Sequence, residues 1–69
     1  MNETKQETAQ PLLLTISQVA KMLSLGRTKV YELIASEGLP VVRFGRAMRV
    51  SPVSLKRWVE SREQGNQFA

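Results

Sequence analysis

Apolar and polar positions change period along the chain, and each change marks an element. Residues 1–10, MNETKQETAQ, show no apolar periodicity and read as a flexible tail. PLLL follows as a short strand or a packed lead-in. Thr15 and Gln18 stand in the spacing of a capping box, which predicts a helix through ISQVAKML with Val19, Ala20 and Leu23 on one face. SLG interrupts it, because Gly26 breaks the pattern and Ser24 is a poor helix-interior residue. A second helix starts near Arg27 and runs through RTKVYELIASE, with Val30, Leu33 and Ile34 as its apolar stripe. Gly38 caps it, and Pro40 forbids continuation.

The period then shortens to two in VVRFGRAMRV, which predicts a β-hairpin. If Val42, Phe44, Met48 and Val50 all face the core, Val42 pairs with Val50 and Phe44 with Met48. The loop is then Gly45, Arg46 and Ala47, although glycine more usually sits last in such a loop. A two-residue Gly45-Arg46 turn would pair Val42 with Arg49 and split the apolar set, so the longer loop is expected. In that register Arg43 lies opposite Arg49 on the outer face, a destabilising juxtaposition of like charges, and Arg46 sits at the tip. Ser51 and Pro52 then open a third helix as cap and first residue. Leu55, Trp58 and Val59 form its core face, Lys56, Arg57 and Glu60 point outward, and Gly65 ends the pattern. Phe44, Met48 and Trp58 are all read as core. The expected organisation is a tail over 1–10, one folded domain over 11–62, and a second flexible tail over 63–69.

Composition narrows the function. A chain of 69 residues makes one small domain, and without cysteine its core rests on packing alone. The sequence has no His, Cys or Asp, which removes the common metal ligands, the usual general base and the familiar nucleophile–base arrangements, so no enzyme, metal or cofactor is expected. No apolar run is long enough to span a membrane, and the polar, acid-containing start does not resemble a signal peptide, so a cytoplasmic protein is expected. The net charge is +4, and it is concentrated centrally: Arg27, Lys29, Arg43, Arg46, Arg49, Lys56 and Arg57 stand against only Glu32 and Glu37. Such a basic centre suits a polyanionic partner.

Helix, short break, helix is the layout of a helix-turn-helix. Ala20 is the small residue that lets the second helix approach, and Val19, Leu23, Leu25, Val30 and Leu33 close the angle between the two. With the LTISQVAKML opening, the VYELI second helix, the GLPVVRFGRAMRV ribbon and the closing LKRWV, residues 12–60 resemble the MerR-like winged helix-turn-helix of excisionases, the recombination directionality factors of phages and mobile elements. AlpA-like phage regulators and the DNA-binding part of terminase small subunits share this pattern. The turn position four after Ala20 is usually Gly in the family and is Ser24 here.

The resemblance implies a small, mainly α (α+β) fold of three helices and a two-stranded hairpin wing. It also implies double-stranded DNA as partner, with the second helix in the major groove and the wing on an adjacent minor groove or backbone. Gly26, Arg27, Thr28, Lys29, Tyr31 and Glu32 are the candidate contacts of the recognition helix, and Arg43, Arg46 and Arg49 those of the wing. Arg27 can fork onto a guanine, and Thr28 can meet a phosphate or a thymine methyl. Glu32 accepts from a cytosine amine or pairs with Lys29 or Arg43. A phosphate between Arg43 and Arg49 would account for their juxtaposition. The first functional expectation is an excisionase that binds repeats at an attachment site, associates with adjacent copies, bends the DNA and directs an integrase toward excision. A small AlpA-like transcription regulator is the second. A winged-helix module that binds an acidic protein is the third. No small-molecule ligand is expected.

Overall fold

The computed structural model describes residues 11–66, with side chains described as far as residue 63. The tail over 1–10 and the last residues of the chain lie outside this range. Among the described residues, three helices and one two-stranded antiparallel ribbon follow in the order α1 (Ile16–Leu23), α2 (Arg27–Ser36), β1 (Val42–Phe44), β2 (Ala47–Arg49) and α3 (Pro52–Asn66). This is the small winged helix-turn-helix α+β architecture that the sequence pattern predicts.

Local chemistry sets the boundaries. The capping box at the start of α1 is complete: the Gln18 amide donates to Thr15 Oγ1 at 3.1 Å, and the Thr15 amide donates to Gln18 Oε1 at 2.8 Å. Ser24 ends α1 in the left-handed region at φ 59° and ψ 43°, and the Leu25 amide reaches back to the Ala20 carbonyl at 2.9 Å. That conformation is the physical reason glycine is favoured at this turn position. Past the end of α2, Gly38 has φ 76°, and the Leu39 amide donates to the Leu33 carbonyl at 3.2 Å. This reversal through a left-handed glycine spans seven residues, Leu33 to Leu39, one more than the Schellman motif, and stops the helix in a similar way. It places Leu39 in the core, a burial that the helical stripe alone did not signal.

The core joins Ile16, Val19 and Ala20 of α1, Val30 and Leu33 of α2, and Leu55 of α3, closed by Leu14, Leu39 and Val50. Leu25, expected to close the angle between α1 and α2, is instead 40% exposed. The PLLL lead-in is tied down at Leu14, which exchanges both backbone hydrogen bonds with Val50, at 2.8 and 2.9 Å. That bridge anchors the base of the hairpin directly on the core. Ser51 caps α3 through the Ser54 amide at 3.3 Å. The helix continues through Gly65 to Asn66, past the glycine expected to end it and past the expected domain boundary at residue 62.

The hairpin register differs from the expected one. Val42 pairs with Arg49, Arg43 with Met48 and Phe44 with Ala47, so the loop is the two-residue Gly45-Arg46 turn. Gly45 has φ 63° and Arg46 does not share the positive φ, the backbone signature of a type II′ turn, which matches the strand twist. Directly opposite residues share a face. Met48 packs on the core together with Val41 from beside β1, and Val42 is turned out with Phe44. Val42 and Phe44 are therefore not core residues: they are 39% and 58% exposed. Arg43 and Arg49 are not opposite one another, and the expected like-charge juxtaposition does not occur.

Candidate nucleic-acid interface

α2 begins without a side-chain cap. Gly26 takes an extended φ of −82° and makes no side-chain hydrogen bond, leaving the first amides of α2 without a side-chain acceptor at an exposed end. Arg27 and Tyr31 follow one turn apart on the same side of the helix. The short connection from α2 into the ribbon, held by the Leu39 and Val50 anchors, brings the wing alongside. An open cleft of about 260 Å³ results, lined by Arg27 and Tyr31 of α2, by Arg46, Ala47, Met48 and Arg49 of the wing, and by Thr15, Ile16 and Ser17 at the start of α1.

The chemistry of this cleft is one-sided. Three guanidinium groups and the hydroxyls of Thr15, Ser17 and Tyr31 line it, and among the described residues no carboxylate does. Arg46, at the hairpin tip, is exposed. Arg49 is partly buried and anchored by a 2.9 Å hydrogen bond from Nη1 to the Met48 carbonyl. A guanidinium has five donors in a fixed fork, so that bond leaves most of them for a planar or tetrahedral anion. Arrays of cationic and hydroxyl donors without an acid between them suit the phosphates of a polyanion.

The other candidates separate from this cleft in informative ways. Lys29 and Glu32 form an ion pair at 3.2 Å on the opposite flank of α2. Beside them Arg62 of α3 pairs with Glu37 at 2.9 Å, stacks over the Trp58 ring at 4.9 Å, and shares a second cleft with Lys29, Glu32, Leu33, Ser36 and Glu37. Trp58 Nε1 donates to the Glu37 carbonyl at 3.1 Å, tying α3 to the end of α2. Thr28 is exposed on the side of α2 away from Val30 and Leu33, with Glu32 and Ala35 in the turns that follow. Arg43 is exposed but does not line the cleft.

Thr15 and Ser17 belong to the cleft and were not among the sequence candidates. The capping box gave Thr15 a structural role, and only the Leu14–Val50 bridge reveals that the start of α1 sits beside the wing. Phe44, which the expected register placed in the core, is exposed on the ribbon and does not line the cleft.

Among the described residues no helix is long and apolar enough to cross a membrane. No solved structure shows a significant match to the chain. A probable excisionase of Saccharopolyspora erythraea is 51% identical over 39 residues, which cover 56% of this chain and 40% of that protein. The match thus spans well under half of that relative's length. Proteins of two Mycobacterium tuberculosis strains, provisionally named as DNA-binding, are 34% identical over 53 residues, covering 77% of this chain and 68% of theirs. The family model described as a helix-turn-helix domain matches residues 13–63, nearly all of the described fold, and the chain belongs to that helix-turn-helix family.

Proposed function

We propose that the protein binds double-stranded DNA sequence-specifically and acts as an excisionase of the MerR-like winged type. In this reading it binds repeats at an attachment site, bends the DNA and directs an integrase toward excision. The observation that carries the DNA-binding part is the cleft in which Arg27 and Tyr31 of α2 meet Arg46 and Arg49 of the wing, with no carboxylate among the described residues that line it. The exposed start of α2 enters the major groove, where Arg27 forks onto a guanine edge and Thr28 meets a phosphate or a thymine methyl. Arg46 and Arg49 take the flanking phosphates, and Thr15 and Ser17 add neutral donors to the same strand. Lys29, paired with Glu32 on the other flank, stays off the duplex in this reading, and the exposed Arg43, on the Met48 face of the ribbon, reaches phosphate from the ribbon's edge.

The relatives support this reading at two levels. DNA binding agrees with the names of the M. tuberculosis proteins, and the excision role agrees with the name of the S. erythraea protein. Adjacent copies on repeated sites would offset the small interface of a single module. The test is an excision reaction with purified protein, an attachment-site substrate and the integrase encoded in the same element, alongside a footprint of the site. Stimulated excision with protection of short repeats is the expected result. Protection without stimulation would leave DNA binding standing and remove the excision role.

A further inference from the structure

The ribbon exposes an aromatic ring where packing gives no reason for one. Phe44 is 58% exposed, precedes the Gly45-Arg46 turn, and lies opposite Ala47 on the strand face that also carries Val42 and Arg49. Its face-mates Ala47 and Arg49 line the basic cleft, as does Met48 of the other face, and Phe44 stands exposed beside the cleft without lining it. Arg46 follows two residues later at the turn and Arg49 shares the ring's ribbon face, while Arg43 lies on the opposite face with Met48. The opposite ribbon face already supplies the wing's core contacts through Met48 and Val41, so Phe44 is free of a structural duty.

From this placement we infer that Phe44 is an apolar wedge, which enters the minor groove at the wing tip and partly unstacks a base step there. The inference rests on the DNA-binding reading and adds a bending device to it. The occupant is argued from charge: Arg49 shares the ring's ribbon face and Arg46 caps the tip, and these cations would draw the ring onto a polyanion while opposing the approach of a second, equally basic wing. Proteins that insert apolar side chains between base steps kink the duplex, and pyrimidine–purine steps yield most easily. Ala47 across the strand is small and leaves the ring's cross-strand side open to a base or sugar.

The test compares wild type with Phe44→Ala and Phe44→Leu on one duplex, measuring affinity at several salt concentrations, bend by end-to-end energy transfer, and unstacking by a fluorescent adenine analogue at the central step. An exposed residue allows both variants to fold, and an unchanged melting temperature verifies it. The expected result for Phe44→Ala is loss of most of the bend and of the fluorescence rise. Affinity should fall about tenfold, as for loss of an aromatic–base contact. The salt slope should stay unchanged, because an apolar contact releases no counterion. Phe44→Leu should retain part of the bend. Bend and fluorescence equal to wild type in Phe44→Ala would overturn the wedge while leaving DNA binding intact. So would a variant that loses only cooperativity between copies, which would assign the ring to a protein contact. Failure of the wild type itself to bind any duplex at low salt would remove the DNA-binding reading and the wedge with it.

Discussion

α2 has two charged flanks, and they are built in opposite ways. Toward the wing, Arg27 meets Arg46 and Arg49 with no acid among the described lining residues. Toward α3, the four charges that line the cleft form two ion pairs, Lys29 with Glu32 and Arg62 with Glu37. Exposed pairs of this kind contribute about 0–1 kcal/mol, so neither does much to hold the fold. Their effect is to cancel charge on one side of the helix. The other side keeps its charge and is left for an external anion. In the proposed DNA complex a duplex would meet a cationic flank and a neutral one, and that asymmetry would set which way round the domain docks.

The sharpest way to break that comparison is Arg27→Ala. Arg27 is the residue of the wing flank placed at the exposed start of α2, where the proposed docking would meet base edges. Losing a bidentate base contact should weaken the preferred site by roughly 1–3 kcal/mol and relax preference at that position. Footprinting or in vitro selection against wild type measures both. An unchanged selected motif would remove Arg27 from base readout.

Arg46→Ala and Arg49→Ala should act differently from Arg27→Ala and similarly to one another. Each removes a proposed phosphate contact, so binding should weaken by a comparable factor on preferred and random duplexes, and the log–log salt slope should become shallower by about 1. Anisotropy titrations at four or five salt concentrations give the slope. Equal slopes for wild type and both variants would take the wing off the backbone.

The helical part of this arrangement was legible in the sequence because its signals are local. A capping box, a left-handed glycine and a Ser-Pro start each act within a few residues, and α1 falls on the expected span. The ribbon was legible as a ribbon but not in its register. Val41 and Val42 are adjacent, so period-two alternation fits the core with either one pointing in, and the structure takes Val41. The choice is made by the turn: a two-residue II′ loop suits three-residue strands better than the longer loop that would keep Phe44 inside. The site divides in the same way. Lys29 lies about 200° around the helix from Arg27, so their separation onto two flanks follows from helical geometry. The proximity of Thr15 and Ser17 to the wing depends on a bridge between residues 14 and 50, which no local pattern encodes.

The α3 flank has its own prediction. Trp58→Phe keeps an aromatic ring beneath Arg62 but removes the Nε1 hydrogen bond to the Glu37 carbonyl. Stability should fall by about 1 kcal/mol in urea unfolding, while DNA affinity and salt slope stay at wild-type values. A change in affinity larger than the change in folded fraction would show that the paired flank also takes part in binding.

The smallest expected effect lies in the turn that belongs to neither flank. Ser24 carries φ 59°, and a left-handed conformation costs an L-residue about 1–2 kcal/mol. Glycine removes that strain but loses more backbone entropy on folding, about 0.5–1 kcal/mol. The Ser24 amide bonds to the Ala20 and Lys21 carbonyls belong to the backbone and survive the change. Ser24→Gly should therefore stabilise the fold by about 0.5 kcal/mol or a little more, read as a higher urea midpoint at an unchanged m value. Because α1 and α2 keep their crossing, DNA affinity should not move. If the midpoint rises and affinity falls together, the strain at Ser24 is not a tolerated imperfection: it sets the angle at which α2 presents Arg27, and the turn would then be part of the reading head.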